Sequence, residues 1–133
     1  MQLAVLYIST AVLFLAVDAV MLRSVMAPLF ERHIGHIMLD DIRFGAAAVF
    51  YLFYVAGLVY LVSWSALNAN APLAALIGGA ILGAVAYGTY EFTSYAILRD
   101  WSLQMVAADT VWGAALTGGA AWGGVTITRA LTG

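Results

Sequence analysis

The chain is 133 residues long, 65% hydrophobic and 9% charged, with a mean hydropathy of +0.99, a balance that belongs in a bilayer rather than to a soluble domain. Its net charge of −2 includes five arginines and no lysine, with no basic run to follow a phosphate backbone, which excludes nucleic acid as a partner. Cysteine is absent, which removes disulfide frameworks and thiolate metal sites; redox chemistry would need a bound cofactor, and no motif asks for one.

The first apolar stretch runs from Leu3 to Leu22. A bilayer core about 30 Å thick needs about 20 such residues in a helix. Val17-Asp18-Ala19 resembles the small-residue end of a secretory leader, but the stretch lacks the charged start that leaders carry. Three more stretches qualify as spans: Phe44 to Trp64, Pro72 to Leu98 and Leu103 to Ala130. The expected architecture is all-α, a four-transmembrane-helix bundle forming one integral membrane domain over residues 1–133.

Between the first two spans, Met26, Phe30, Ile34, Ile37 and Met38 recur at helical spacing opposite Glu31, Arg32 and His36. That pattern predicts a short interfacial amphipathic helix over about residues 26–41. In "SALNANAP", Asn70 is the expected N-cap, with Pro72 in the first turn of span three. In "RDWS", Asp100 or Ser102 is the expected cap of span four. Arg23, Arg32 and Arg43 lie in or beside the first connection and Arg99 in the third, against Arg129 alone on the other side. The positive-inside rule then puts both connections in the cytoplasm and both termini outside.

Four of the seven acidic residues fall in the connections; Asp18, Glu91 and Asp109 fall inside spans. A charge within hydrocarbon costs on the order of 2.5–3.5 kcal/mol or more, so such residues face a bundle interior, a partner or water. All three sit in the cytoplasmic half of their helices, which predicts one carboxylate layer built by three helices. The plain alternative is local pairing, Asp18 with Arg23 and Glu91 with Arg99. Tyr87, Tyr90, Glu91 and Ser94 stand at i, i+3, i+4 and i+7 on one face of span three, Asp109 and Trp112 share a face of span four, and span two adds Tyr51 and Tyr54. The aromatic residues fit packing or an interface belt as well as a ligand box.

Glycines add a prediction about shape. Gly79 and Gly83 on span three and Gly119 and Gly123 on span four form small-residue ridges. Close contact there, with Tyr87, Tyr90 and Trp112 holding the helices apart below, would open a polar cleft toward the cytoplasmic leaflet. Asp18, Tyr54, Tyr87, Tyr90, Glu91, Ser94, Asp109 and Trp112 are the candidate ligand-binding residues. His33, His36 and Asp40 allow a metal triad to be drawn, but no second cluster supports it and no metal site is expected. Glu-x-x-His pairs for a di-iron bundle, phosphate loops and nucleophile elbows do not occur in the spans.

With Asp18, "FYLFY", "YGTYEFTSYAILRDW" and "DTVWG" in place, the chain resembles the short bacterial membrane proteins grouped as domain of unknown function 2177. The resemblance covers essentially the whole chain. That family's pattern has an aspartate in the first span, a Phe-Tyr-rich second span, Tyr-Gly-Thr-Tyr-Asp followed by Thr-Asn, and Asp-x-x-Trp-Gly. Here Glu91 replaces the aspartate and Ser94 the asparagine, keeping acid and hydrogen-bonding character while altering reach. The resemblance implies a four-span protein of the bacterial inner membrane and no particular activity.

Three functions fit. The first is binding or transport of a small or lipid-like amphiphile at the acidic layer, with proton exchange at Glu91 or Asp109. The second is an accessory subunit, or a homo-oligomer, whose ridges dock other membrane helices among membrane lipids. The third, an enzyme acting on a lipid or isoprenoid, ranks below these because no nucleophile or cofactor motif is present.

Overall fold

The computed structural model describes residues 1–41 and 43–132; Ile42 and Gly133 lie outside the described residues. Helix α1 (Gln2–Met21) passes through a π-helical turn at Leu22–Met26 into α2 (Ala27–Ile34), with a last 3-10 turn at Gly35–Ile37. Helix α3 (Phe44–Leu58) continues through a second π turn, Val59–Ser63, into α4 (Trp64–Asn68). Two long helices follow, α5 (Pro72–Ile97) and α6 (Leu103–Thr132). The described residues form an all-α bundle without strands.

Three of these rods, Gln2–Ile37, Phe44–Asn68 and Pro72–Ile97, are long and apolar enough to cross a membrane. At 30 residues, α6 reaches about 45 Å at 1.5 Å per residue, so it has the length but not the apolarity. The reason is its position. Gly113, Thr117, Gly118, Ala120, Ala121, Gly123, Gly124 and Thr128 are buried against the other helices, and helix contacts in a bilayer favour small residues where lipid contacts favour large apolar ones. Most of the large exposed side chains, Ile8, Val12, Phe44, Phe53, Leu61, Ile81 and Val85 among them, lie on the other helices, while α6 exposes Leu103, Val111, Trp122 and Leu131.

The segment expected as a separate interfacial helix is the continuation of span one. Pro28 has no N–H for the carbonyl one turn back, and the π turn just before it absorbs the defect, so the rod re-phases instead of ending. Its amphipathic character survives: Met26, Leu29 and Ile34 are buried while Glu31 and Arg32 are exposed. Leu29 and Ile34 pack with Trp101, Met105 and Val106 over the start of α6. Ile37 and Met38, expected on the same apolar face, are exposed at the end of the rod.

The turns correct one expectation and decide another. Asn70 is no cap: it takes a left-handed conformation, φ 53, in the turn before Ala71, which occupies the N-cap position of α5 without a side-chain bond. Ser102 is the cap of α6, its Oγ accepting from the Met105 amide at 3.1 Å. Asp100 is instead the left-handed residue of that turn, φ 68, a conformation aspartate tolerates better than most.

The ridge between α5 and α6 uses different glycines on α6 than expected. A Cβ on Gly79 would lie 2.9 Å from both Gly118 Cα and Thr117 O. A Cβ on Gly83 would strike the Gly113 carbonyl, and Gly113 in turn lies under the Tyr87 ring. Gly123 and Gly124 face Leu13 and Thr10 of α1, and Gly119 meets nothing within 4 Å. The sequence has glycine at 113, 118, 119, 123 and 124, and the helix rotation that selects among them is set by two partners at once.

Candidate functional site

Where α1, α5 and α6 meet below this ridge, the three acidic side chains converge. Asp18 is 4% exposed and Glu91 fully buried. Asp109, half-buried, stands close enough to both for its charge to act on them. Neither expected local pair forms: among the described residues the charged contact is His36 Nε2 to Asp100 Oδ2, 3.2 Å, at the exposed end of the bundle. His36 thus joins the first connection to the third rather than forming a triad with His33 and Asp40.

Indoles take the place of arginines. Trp112 Nε1 donates to Asp18 Oδ1 at 3.0 Å, and Trp101 Nε1 donates to Glu91 Oε1 at 3.0 Å. An indole supplies one donor and an apolar body, which lets it satisfy a carboxylate oxygen without bringing a counter-charge into hydrocarbon. Trp112 reaches Asp18 because α1 and α6 pack closely at Thr10–Gly124 and Leu13–Gly123. Trp101 reaches Glu91 because the turn through Asp100 folds back over the end of α5.

Tyrosines close the layer on the other side. Tyr87 stands edge-on to Tyr54, centroids 6.3 Å apart, and Phe14 packs against Tyr51 at 5.8 Å and Tyr54 at 5.5 Å. The Tyr54 hydroxyl and Thr117 Oγ1 are 3.0 Å apart. Four buried side-chain polar atoms among the described residues have no hydrogen-bond partner: Glu91 Oε2 and the Tyr87 hydroxyl in the layer, Thr110 Oγ1 next to Asp109, and Ser63 Oγ elsewhere. Such orphans are rare in native structures and call for an explanation.

Of the eight candidate residues, Asp18, Tyr54, Tyr87, Glu91, Asp109 and Trp112 therefore belong to one packed cluster. Tyr90 stands at its rim, 55% exposed, its ring edge-on to Trp101 at 5.6 Å. Ser94 is buried one turn beyond Glu91, and no hydrogen bond among the described residues ties its hydroxyl to the carboxylates. Trp101, 7% exposed and edge-on to Phe30, is the member that sequence reasoning left out. Its signal is weak: an indole four residues past the end of a buried acid's own helix, in a turn whose return path the spacing alone does not reveal.

The expected wedge is not there. Tyr87 sits on Gly113 instead of prying α5 from α6, and Gly88 still approaches Thr110 one turn further down. Two hollows flank the layer rather than open it. One, polar and at the opposite end of the bundle, is lined by Gln2, Asn70, Thr126 and Arg129. The other is an apolar groove between α1 and α6 that begins at Trp112.

An all-α, multi-pass membrane bundle with a buried layer of acids capped by indoles is the class that this fold and site define. The chain belongs to the family described as "Predicted membrane protein (DUF2177)", which matches residues 3–126. No curated protein and no solved structure matches it.

Proposed function

We propose that the protein is a membrane module that binds, and exchanges for protons, an amphiphile with a cationic or hydroxylated head at the Asp18–Glu91–Asp109 layer. The observation that carries this reading is the pair of orphaned atoms, Glu91 Oε2 and the Tyr87 hydroxyl, beside a second carboxyl with no arginine acting on any of the three acids. Carboxyls near enough to act on each other in a low dielectric share a proton or hold a bound cation between them, since two bare charges repel. A cationic head that enters there satisfies both oxygens and displaces the proton, whereas a neutral hydroxyl binds with the proton still in place. The setting that goes with this reading is the inner membrane of a bacterium, the acid layer toward the cytoplasm and both termini outside.

The test is direct binding of decylammonium to the full chain in phosphatidylcholine nanodiscs. Glu91→Gln and Asp109→Asn each weaken it by about tenfold, roughly the 1.4 kcal/mol of one charge-assisted contact. Affinity for the unaltered chain rises with pH, because a cation that displaces a proton binds better where protons are scarce, and weakly buffered solution acidifies on binding. Unchanged affinity in both variants sinks the proposal.

A further inference from the structure

We infer that the groove between α1 and α6 seats the hydrocarbon chain of a single-chain amphiphile whose cationic head meets Asp18; this rests on the reading of the carboxylate layer given above. The groove has a volume of about 310 Å3 and is lined by Leu13 and Val17 of α1 and by Trp112, Leu116, Gly119 and Trp122 of α6. At roughly 30 Å3 for a water-sized group in a liquid, that is space for about ten methylene-sized groups. From Trp112 to Trp122 the axial distance is about 15 Å at 1.5 Å per residue, a length that suits one extended alkyl chain. A transmembrane helix, about 10 Å across, does not fit such a slot.

The walls are open toward lipid: Val17 is 46% and Trp122 47% exposed, so a chain enters sideways from the bilayer. The floor is open as well. Gly113, Gly118, Gly123 and Gly124 each lie under a neighbour's atoms, whereas a Cβ on Gly119 meets nothing within 4 Å. What distinguishes this groove from an ordinary lipid-facing furrow is its inner end. Trp112 both lines it and donates its N–H to Asp18, and Val17 of the lining directly precedes Asp18, so a head at that end lies one side chain from a buried carboxylate and within its field. Charge complementarity selects an ammonium for that place, and the Trp112 ring face adds attraction for a cation.

The experiment titrates the full chain in phosphatidylcholine nanodiscs with a terminally brominated decylammonium and reads tryptophan quenching. The expected result is saturable quenching, at least about tenfold weaker for the matching alcohol and sulfate. Gly119→Phe, whose Cβ meets nothing within 4 Å and whose ring occupies the groove, and Asp18→Asn each shift the titration by about tenfold or more; Gly119→Leu, a smaller filler, gives an intermediate shift and guards against misfolding of the larger variant. An unchanged titration in both Gly119 variants overturns the groove assignment. If Glu91→Gln still weakens binding by about tenfold in that case, the carboxylate layer stands and its ligand reaches it by another route. Equal quenching by ammonium, alcohol and sulfate in every variant marks unselective annular lipid and overturns both readings. A disulfide-linked dimer formed by Val17→Cys in this cysteine-free chain and lost when Gly119→Phe is added gives the groove to a second copy of the chain and overturns the chain site.

Discussion

Trp101 and Trp112 perform at residue scale a task usually given to arginine. Each holds one oxygen of a buried carboxylate with a single N–H at 3.0 Å and surrounds the rest with apolar ring. Replacing either by phenylalanine keeps most of the packing and removes the donor. Interhelical hydrogen bonds in membrane proteins average about 0.6 kcal/mol with a maximum of about 1.7 kcal/mol. The buried, charge-assisted position puts Trp101→Phe and Trp112→Phe toward the upper end, at about 1–1.5 kcal/mol. Reversible unfolding of the reconstituted protein measures this. Equal stability of both variants with the unaltered chain would show that these carboxylates are satisfied in some other way. The acids themselves were legible at this scale, because an ionisable residue within an apolar run stands out without an alignment. Of their donors, Trp112 stood out by sharing a face with Asp109, though not as the partner of Asp18, and Trp101 did not stand out at all, because indoles are ordinary in such sequences and nothing local says which of them turns its N–H inward.

At the scale of elements, α6 organises the bundle. Its glycines fall into three groups by what they touch: Gly113 and Gly118 face α5, Gly123 and Gly124 face α1, and Gly119 faces open space. The grouping predicts a graded response to alanine. Gly83→Ala and Gly118→Ala force backbone apart where side chains have no room to yield, costing about 1–3 kcal/mol as overpacking does. Gly119→Ala and Gly57→Ala, whose added methyl meets nothing within 4 Å, are neutral or slightly stabilising, since alanine is the better helix former. Thermal stability of the four variants in one detergent decides this, and a loss at Gly119 as large as at Gly118 would contradict the packing. The helix count and three of the four spans follow from hydropathy alone. The extension of span one past Pro28 did not, because whether a helix stops or shifts phase at a proline depends on what receives the next turn. Here the Trp101–Met105–Val106 surface receives it.

For the molecule as a whole, the first and third connections lie at one end, joined by the His36–Asp100 contact, while Gln2, Asn70 and Arg129 gather at the other. The arginines favour the first end as the cytoplasmic one. A reporter fused after the last residue is therefore expected to be active when it is a periplasmic reporter and silent when it is a cytoplasmic one; the reverse result inverts the membrane orientation and moves the acid layer to the outer leaflet.

The sequence by itself determined the all-α membrane class, the short turns before α5 and α6 and the presence of Asp18, Glu91 and Asp109 inside apolar helices, because apolar run length translates directly into helices that cross a bilayer. Only the tertiary structure decided which faces meet: that Gly113 rather than Gly119 carries the α5 contact, that Trp101 returns to Glu91, and that the layer is closed instead of cleft. The physical reason is rotational. Depth is fixed by counting residues, but the angle of a helix about its own axis is set by packing against several neighbours at once, and α6, with small residues on nearly every side, leaves that angle open until the neighbours are in place.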